Sequence, residues 1–447
     1  MGLHPGPGKA GPPEFGPVNQ LHRSLGLGRA TAMVIGTIIG ASIFVQPSAV
    51  TGAVQSIGGV FAVWIATGAL TLCGALVAAE LASAYPQTGG VYVFLKEAFA
   101  PDLGFLWGWA MFWSMHSGII AAISVVFARY AGYLVPLGDT GIKVVAVSAI
   151  LALTLINYWG VRQGSALQAA FTAGKLVAVA GILVVGFWLG ARLPQHFVVP
   201  ETPASSQWVP ALVAGLFTYG GWHMVTYPAG ETYDPERTIP RALVIGTLVV
   251  TACYVALNAV YLYVLPLDQV AHSTRVAADA ADRLLGRGGG TVLSVLVMFS
   301  TFGGLSGIVL TGPRVYYSMA QDGLLFQWMG ATHPRFHTPH RAIVLQGIWS
   351  SVLVATGTYQ TLFTRVVYTE WIFFALMAIG LILLRRRPGY APRYRVLGYP
   401  LIPVLFVISS LGIVANQVLL DPRHSAAGLA LVLTGWPVYR LWVWWRS

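Results

Sequence analysis

The stretch Val34-Ile35-Gly36-Thr37-Ile38-Ile39-Gly40-Ala41-Ser42-Ile43-Phe44 decides the fold of this chain, together with a second stretch, Gly215-Leu216-Phe217-Thr218-Tyr219-Gly220-Gly221-Trp222-His223. We call residues 34–44 the first break and residues 215–223 the second break. Each lies midway along an apolar run long enough to cross a bilayer. Because lipid offers no partner to an unpaired backbone group, a helix that opens there must line a cavity or a ligand. Interrupted segments at matching places in two halves are typical of a secondary transporter's binding site.

The glycines of the first break allow a second interpretation. Gly36 and Gly40 have the spacing of a G-x-x-x-G helix-packing face. The Gly-Gly pair of the second break, in the matching half, favours an opened helix, because small residues tolerate unusual dihedral angles and let a ligand touch the main chain.

Composition places the chain in the membrane class. The chain is 56% hydrophobic and 9% charged, whereas a soluble domain carries about 25% charged residues. The net charge of +11 does not indicate nucleic-acid binding, because the arginines lie in short loops between apolar runs rather than on one basic face.

Signatures of other function classes are missing from the sequence. Cys73 and Cys253 both lie within apolar runs, which favours buried thiols over a disulfide. No G-x-S-x-G, H-E-x-x-H or complete phosphate loop occurs. We therefore predict a protein that is not an enzyme and that has no metal site and no cofactor.

The apolar runs predict an all-α polytopic membrane protein, since roughly 20 apolar residues cross about 30 Å of hydrocarbon. Twelve segments are predicted: 29–54, 59–85, 103–135, 141–158, 165–191, 208–232, 240–265, 290–319, 341–358, 364–385, 400–420 and 426–444. Residues 1–28 are expected to form a disordered cytoplasmic tail. Residues 29–191 and 208–385 are expected to form the two halves of a five-plus-five inverted repeat, with residues 400–444 outside it.

Basic residues predict the orientation of these segments. With the N-terminus inside, the inner loops hold most of the basic residues, among them the cluster Arg385-Arg386-Arg387. Because cytoplasmic loops are enriched in Lys and Arg, both termini are expected in the cytoplasm. The simplest interpretation of the cluster is a topology anchor.

The two breaks match the backbone of a zwitterionic amino acid. Freed N–H groups carry partial positive charge and receive a carboxylate, while freed C=O groups receive an ammonium. The predicted N–H groups belong to Ala41, Ser42 and Ile43. The predicted C=O groups belong to Ile38 and Ile39 in the first break and to Phe217, Thr218 and Tyr219 in the second.

Lys175 lies deep in segment 5, far from either end. A lysine at the centre of a span is costly unless it meets carbonyls, a counter-charge or water, so it marks a functional site by default. We expect the ammonium between carbonyls of segment 1 and a hydroxyl of segment 8, Ser300 or Thr301, where it replaces a sodium ion. Burial also disfavours its charge, which makes proton release during transport a further option.

Four other polar residues lie inside predicted spans. Glu80 and Glu231 lie towards the inner ends of segments 2 and 6, where each is expected to pair with Arg241 or another inner arginine, as a gate or as a structural ion pair. Glu370 lies about six residues into segment 10, near the outer mouth, and fits structural pairing or a gate. His223 directly follows the Gly-Gly pair and is either a core histidine or a residue of the cavity.

The chain resembles the amino acid–polyamine–organocation permeases, and within them the bacterial L-type amino acid transporters. The resemblance spans nearly all residues after position 29. It is carried by both breaks, by Ala79-Glu80-Leu81 with Tyr85-Pro86-Gln87-Thr88-Gly89-Gly90, by Gly230-Glu231 with Asp234-Pro235-Glu236-Arg237 and Ile239-Pro240-Arg241-Ala242, and by Gly312-Pro313-Arg314 with Asp322-Gly323.

This resemblance implies a five-plus-five inverted repeat with two extra helices and amino acid transport by alternating access, often as exchange. The family's substrate glycines match Gly40, Gly220 and Gly221; its aromatic gate matches Phe217; its fifth-helix lysine matches Lys175. Ser42 stands where the family usually has glycine. Animal members tether a partner glycoprotein through an outer cysteine after the third helix. This chain has no cysteine between Val135 and Lys143, so no disulfide-linked heavy chain is expected.

The sequence thus predicts a sodium-independent amino acid exchanger or proton-linked carrier in a bacterial inner membrane. Two alternatives stay open. A polyamine or amino-acid/amine antiporter would need an acid in the pocket, and segments 1, 6 and 8 offer none at their centres. A sensor or scaffold on the same fold would bind without turnover.

Overall fold

The computed structural model describes residues 21–40, 42–44, 46–190, 207–273, 275–286, 288–357 and 359–446, and these residues are nearly all helical. The helices before residue 200 are α1 (Leu27–Ile38), α2 (Pro47–Val54), α3 (Ile57–Ala84), α4 (Val91–Ala98), α5 (Pro101–Trp113), α6 (Met115–Leu134), α7 (Asp139–Tyr158) and α8 (Val161–Gly190). The later helices are α9 (Trp208–Thr218), α10 (Pro235–Val264), α11 (Leu267–His272), α12 (Val276–Leu285), α13 (Gly289–Thr311), α14 (Pro313–Gln321), α15 (His340–Thr356), α16 (Tyr359–Leu384), α17 (Leu401–Leu420), α18 (Pro422–Leu433) and α19 (Gly435–Arg446).

Local sequence sets several of these helix boundaries. Proline occupies the first position of α2, α5, α10, α14 and α18, where its missing N–H costs no hydrogen bond. Ser56 caps α3, since its side chain accepts a hydrogen bond from the Gly59 N–H at 3.1 Å. Gly160, at φ +147°, makes the turn between α7 and α8, a conformation that other residues rarely adopt.

Eight helical stretches of the described residues are long and apolar enough to cross a membrane, and two shorter apolar helices accompany them. The eight lie at 57–84, 101–132, 139–158, 161–190, 235–264, 289–321, 401–420 and 422–445, and the shorter ones at 27–38 and 368–384. The chain is therefore a helical protein of the multi-pass membrane class. The twelve crossings and the inverted repeat stay predictions.

The N-terminal boundary needs a correction. A tail was expected to residue 28, but Ser24 and Leu25 already have fixed contacts. Their N–H groups donate to the Glu231 carbonyl at 2.8 and 3.0 Å, and Leu25 is buried. Helix α1 begins at Leu27, so the packed part of the chain starts before the expected boundary. Residues 1–20 of the expected tail lie outside the described residues.

The helices that hold the two breaks lie at the centre of the molecule. Helix α1 packs against α8, α10 and α13, and α10 packs along α3. The 3₁₀ helix after the second break, Trp222–Thr226, contacts α1, α3, α10 and α13. Because long helices surround both breaks, side chains from α8, α10 and α16 can reach the opened backbone.

Candidate functional site

The first break is an opened helix. Helix α1 ends at Ile38, and Ile39 has extended dihedral angles of φ −69° and ψ 91°. A 3₁₀ turn follows at Ser42–Phe44, and α2 begins at Pro47. The described N–H groups of the predicted carboxylate site, at Ser42 and Ile43, lie at the start of this turn, where no earlier carbonyl of the turn can pair with them. Ala41 lies outside the described residues.

The second break opens at its two glycines and contacts the first break directly. Helix α9 ends at Thr218, and Gly221 adopts φ +96° before the 3₁₀ helix begins at Trp222. The Thr37 hydroxyl donates to the Met33 carbonyl at 2.7 Å and also lies 3.2 Å from the Gly221 carbonyl. A Cβ atom at Gly221 would lie 3.0 Å from the Thr37 carbonyl oxygen, so this position requires glycine both for its dihedral angles and for the close backbone approach.

The remaining glycines of the two breaks have different surroundings. A Cβ atom at Gly36 would collide with Gln168 and Thr172 of α8, whereas one at Gly40 would meet nothing closer than 3.9 Å. Gly220 is exposed although it lies within the protein. A Cβ atom added to it would lie 3.3 Å from the Phe217 carbonyl oxygen. Gly36 is therefore a packing glycine, while Gly40 and Gly220 border open space.

Lys175 binds the carbonyls of the first break. Its ammonium donates to the Gly36 carbonyl at 2.9 Å and to the Ile39 carbonyl at 2.6 Å. The residue is 2% exposed, and its Nζ would lie 3.6 Å from a Cβ atom at Gly304 of α13. A buried cation that donates to two carbonyls holds the opened end of α1 against α8 and α13.

The hydroxyls expected to complete this lysine site do not bind it. The Oγ of Ser300 and the Oγ1 of Thr301 are buried and make no hydrogen bond within the described residues. Lys175 thus takes its described oxygen partners from the first break, and none from α13.

Tyr254 of α10 connects the two breaks, and the sequence analysis missed it. Its hydroxyl lies 3.0 Å from the Ile38 carbonyl and 3.2 Å from the Thr218 carbonyl. One hydroxyl has a single hydrogen, so it donates fully to only one of the two at a time. The available signal was a tyrosine in the middle of an aliphatic span, where its hydroxyl needs a partner.

Internal donors already occupy most of the carbonyls predicted to receive a substrate ammonium. Ile38 and Thr218 share Tyr254, Ile39 accepts from Lys175, and Phe217 accepts from the Gly220 N–H at 3.2 Å. A carbonyl oxygen has two lone pairs, so each can accept one further donor. Of the other predicted side chains, Ile43 is buried, Phe217 is half-buried, and the Tyr219 hydroxyl donates to the Trp64 carbonyl at 3.3 Å.

His223 meets Glu370 beside the second break. The Nε2 of His223 lies 3.4 Å from the Oε1 of Glu370. Glu370 was expected near the outer mouth, but α16 begins at Tyr359, so the carboxylate lies near the middle of this helix. An acid therefore does lie next to a break, although on α16 rather than on segment 1, 6 or 8.

Glu231, a few residues after the second break, forms a buried ion pair. Its carboxylate forms a two-point ion pair with Arg314 at 3.0 and 3.2 Å, and both side chains are fully buried. Its backbone carbonyl accepts from Ser24 and Leu25, and the Tyr233 N–H donates back to the Leu25 carbonyl at 2.9 Å. The start of α1 is thus fastened to the chain that leads into α10.

Glu80 pairs with Arg385 rather than with Arg241. Two hydrogen bonds of 2.7 and 2.5 Å join the groups, and the Val396 N–H adds a third at 2.7 Å. Arg241 is exposed. Arg385 is therefore more than a topology anchor, because it ties the end of α16 to the buried carboxylate of α3.

A further polar cluster joins α4 to the residue that follows α14. The Tyr92 hydroxyl and the Lys96 ammonium both donate to Asp322, at 2.6 and 2.8 Å. Burial, and then the Asp322 carboxylate, raise the pKa of the Tyr92 hydroxyl well above its usual value. The hydroxyl therefore stays protonated and keeps its role as donor.

Comparison with known proteins agrees with this architecture. A family model described as amino acid permease matches residues 25–438. The serine/threonine exchanger SteT of Bacillus subtilis (strain 168) is 33% identical over 427 residues, which cover 94% of this chain and 97% of the relative. Large neutral amino acids transporter small subunit 2 of Homo sapiens is 32% identical over 463 residues, covering 99% and 85%. Asc-type amino acid transporter 1 of Mus musculus is 31% identical over 441 residues, covering 96% and 82%.

Proposed function

This chain belongs to the amino acid permease family, and we propose that it exchanges amino acids across a membrane by alternating access, with the substrate held between the two breaks. The observation that carries this proposal is the direct meeting of the breaks, through Thr37 with Gly221 and through the shared hydroxyl of Tyr254. Two opened helices that share one hydroxyl can respond together to one small ligand.

The substrate backbone fits the open side of this meeting point. Its carboxylate binds the N–H groups of residues 41–43 after the first break, and its ammonium binds the second lone pairs of carbonyls in both breaks. Gly40 and Gly220 leave room for this approach. We expect the ring of Phe217 and the hydroxyl of Ser42 to border the substrate, whose side chain extends away from the two breaks.

The cycle proposed for this chain does not use sodium. The Lys175 ammonium holds the Gly36 and Ile39 carbonyls, which are the oxygens a metal ion at the first break would need. A tethered cation that occupies them leaves no reason for a free one.

The inner gate of the cycle consists of the contacts around Glu231. Opening this side requires Ser24 and Leu25 to leave the Glu231 carbonyl, while the buried pair with Arg314 keeps the carboxylate in place. The ion pair of Glu80 with Arg385 is separate from these contacts and holds the end of α16 to α3.

The finer architecture is also part of this proposal. Residues 29–191 and 208–385 form the inverted repeat, residues 400–444 form two additional crossings, and both termini face the cytoplasm of a bacterial cell. The relative named as a small subunit raises the question of a heavy chain. The cysteines of this chain, Cys73 and Cys253, lie within α3 and α10, so we propose no disulfide-linked partner.

Transport by the purified protein in vesicles tests the proposal. Vesicles preloaded with serine, threonine or large neutral amino acids are expected to take up labelled amino acid faster than empty ones, and replacing sodium with choline is expected to change nothing. Uptake that collapses without sodium would overturn the role of Lys175. Exchange only against amines would support an antiporter of that class, and tight binding without any flux would support a sensor.

A further inference from the structure

Within the part of the chain that the structure describes, the largely buried acid Glu370 lacks the arginine partner that Glu80 and Glu231 have. Within the described residues, Glu80 and Glu231 each pair with an arginine, Arg385 and Arg314. The described contacts of Glu370 include no lysine or arginine; its ion-pair partner is His223 at 3.4 Å. The Glu370 side chain is 15% exposed and the His223 side chain 2%.

Rings and unpaired polar atoms surround this pair. The His223 ring lies 4.8 Å from Phe374, 5.4 Å from Trp222 and 5.5 Å from Tyr227, measured between centroids. Within the described residues, neither His223 nitrogen forms a hydrogen bond, and the Tyr227 hydroxyl is buried without one. Nε2 and Oε1 are therefore close but not hydrogen-bonded, and a buried imidazole with both nitrogens unpaired calls for an explanation.

The charge balance of the pair depends on one proton. An ionised Glu370 beside a neutral imidazole leaves a buried negative charge without a cation, which is expensive in a low-dielectric interior. A protonated carboxyl beside an imidazolium leaves a buried positive charge. The pair is neutral overall only when it holds a single shared proton, on either the oxygen or the nitrogen.

We propose that Glu370 and His223 form a proton-binding site that couples proton movement to net amino acid transport. His223 lies on the 3₁₀ helix that follows Gly221, whereas Glu370 lies on the continuous helix α16. A displacement of the second break during the cycle changes the distance between the two groups, and with it the free energy of holding a proton on either of them. The pair binds a proton in one state and releases it in the other.

The chemistry of this step is a simple proton transfer. A proton from one side of the membrane converts the ionised carboxyl group and the neutral imidazole into the one-proton pair, and release to the other side restores them. One O–H or N–H bond forms and the same bond breaks, so no electron and no further reactant is needed.

Other titratable groups lie near this pair. His116 of α6 lies close enough to His223 to interact electrostatically with it, and its Nε2 donates to the Ile308 carbonyl at 2.9 Å, which fixes its tautomer. The Tyr227 hydroxyl faces Glu370, and Tyr316 neighbours Tyr227. The packed helices α3 and α10 also hold Cys73, Tyr254 and Tyr261, and the groups nearer helix ends include Arg29, Glu80, Tyr92, Lys96, Glu97, Arg129, Glu236, Arg237, Arg241, His340, Arg341, Arg385, Arg423 and His424. Glu370 with His223 is a proton site distinct from Lys175, whose ammonium donates to two carbonyls of the first break.

Infrared spectroscopy of the purified protein tests the site without depending on transport. The carbonyl stretch of a protonated carboxyl group is expected to disappear as pH rises, and Glu370→Gln is expected to lose this band. Glu236→Gln, which removes an acid paired with Arg393 at 2.6 Å, is the matched control and should keep the band. His223→Asn should keep the band but move the pH at which it disappears. A band that does not titrate, or that survives in Glu370→Gln, would overturn the proposal.

Transport measurements test the coupling, which rests on the proposed function. Net uptake into empty vesicles that contain a pH-sensitive dye is expected to bring protons with it, and Glu370→Gln is expected to lose this proton entry while it keeps exchange in preloaded vesicles. Exchange without proton entry in the parent protein would contradict the coupling and leave the proposed function intact. A titrating carboxyl band in a protein that shows no transport would contradict the proposed function and leave the proton site intact. Binding of a diamine that depends on Glu370 would instead make the carboxylate a cation-recognition group and would overturn the proton site.

Discussion

The two breaks open by different means. In the first break the opened carbonyls are held from outside, by the Lys175 ammonium of α8 and the Tyr254 hydroxyl of α10. In the second break the chain turns through the left-handed dihedral angles of Gly221, and Gly220 stays exposed. One opening is fastened by side chains of neighbouring helices, and the other is produced by glycine itself.

This difference predicts that the two breaks differ in how easily their backbone changes shape. A break held by a buried cation keeps its shape as long as the cation stays. A break made by glycine can change its dihedral angles at low cost. The residues that follow it lead to His223, whose Nε2 lies 3.4 Å from Glu370. We therefore predict that the first break is the fixed side of the proposed site and the second break the adaptable side.

Filling the open face of the first break is the change with the largest expected effect. In Gly40→Val, the added methyl groups occupy the space where we propose that the substrate meets the main chain. The structure leaves 3.9 Å around a Cβ atom at this position, so the protein should still fold. We expect amino acid binding to fall below detection in a binding assay on purified protein, and Gly220→Val should behave in the same way.

Gly412→Val provides the matched control for this experiment. Gly412 lies on α17 with nothing within 4 Å of a Cβ atom, so the same substitution should leave binding unchanged. Wild-type affinity in a well-expressed Gly40→Val protein would show that the substrate does not lie against the first break.

Removing the buried cation tests whether the first break is indeed the fixed side. A charge-assisted hydrogen bond is worth about 1.5–3 kcal/mol, and Lys175→Ala loses two of them. The balance between inward and outward states should shift, so we expect exchange to slow by roughly tenfold or more while binding stays measurable.

The control for Lys175→Ala is Lys143→Ala. Lys143 also donates to a carbonyl, that of Ala355 at 2.9 Å, but it is exposed. Lys143→Ala should leave both amino acid exchange and amino acid binding unchanged. If proton release also runs through Lys175, Lys175→Ala should flatten the pH dependence of exchange. Unchanged turnover at every pH would leave Lys175 with a packing role only.

The smallest expected effect comes from the hydroxyl that joins the breaks. Tyr254→Phe removes one shared hydrogen bond, worth about 1 kcal/mol, so exchange should slow by roughly fivefold. Tyr261→Phe is the control on the same helix, because the buried Tyr261 hydroxyl forms no hydrogen bond with any described residue. If the two variants exchange at the same rate, Tyr254 does not link the breaks.

The sequence predicted the elements better than the pairs between them. Gly36, Gly40 and Gly221 showed where helices open, because backbone freedom is a local property of a residue type. Length and hydropathy likewise located the eight long apolar helices, because hydropathy is a property of the local sequence, while the other four predicted crossings stay predictions. The sequence could not separate the packing glycine Gly36 from the open Gly40, since that distinction depends on which helix lies opposite.

The sequence does not show which side chains form hydrogen bonds or ion pairs across different helices. Lys175 was expected near the carbonyls of segment 1 and lies there, but the hydroxyls of Ser300 and Thr301 do not join it. Glu80 was expected to pair with Arg241 or another inner arginine; it pairs with Arg385, because α16 ends beside α3. Such pairs join residues hundreds of positions apart, and only the packing of whole helices decides them.

The tether of Lys175 also has an electrical consequence. An ion that binds and leaves adds its charge to the transported load, and moving one charge through 100 mV is worth about 2.3 kcal/mol. The ammonium at the first break is covalently attached to α8 and cannot cross with the substrate. A swap of one zwitterion for another then carries no net charge, so membrane voltage should neither drive nor oppose it. Any current recorded from this protein would have to be carried by something other than the site at the first break.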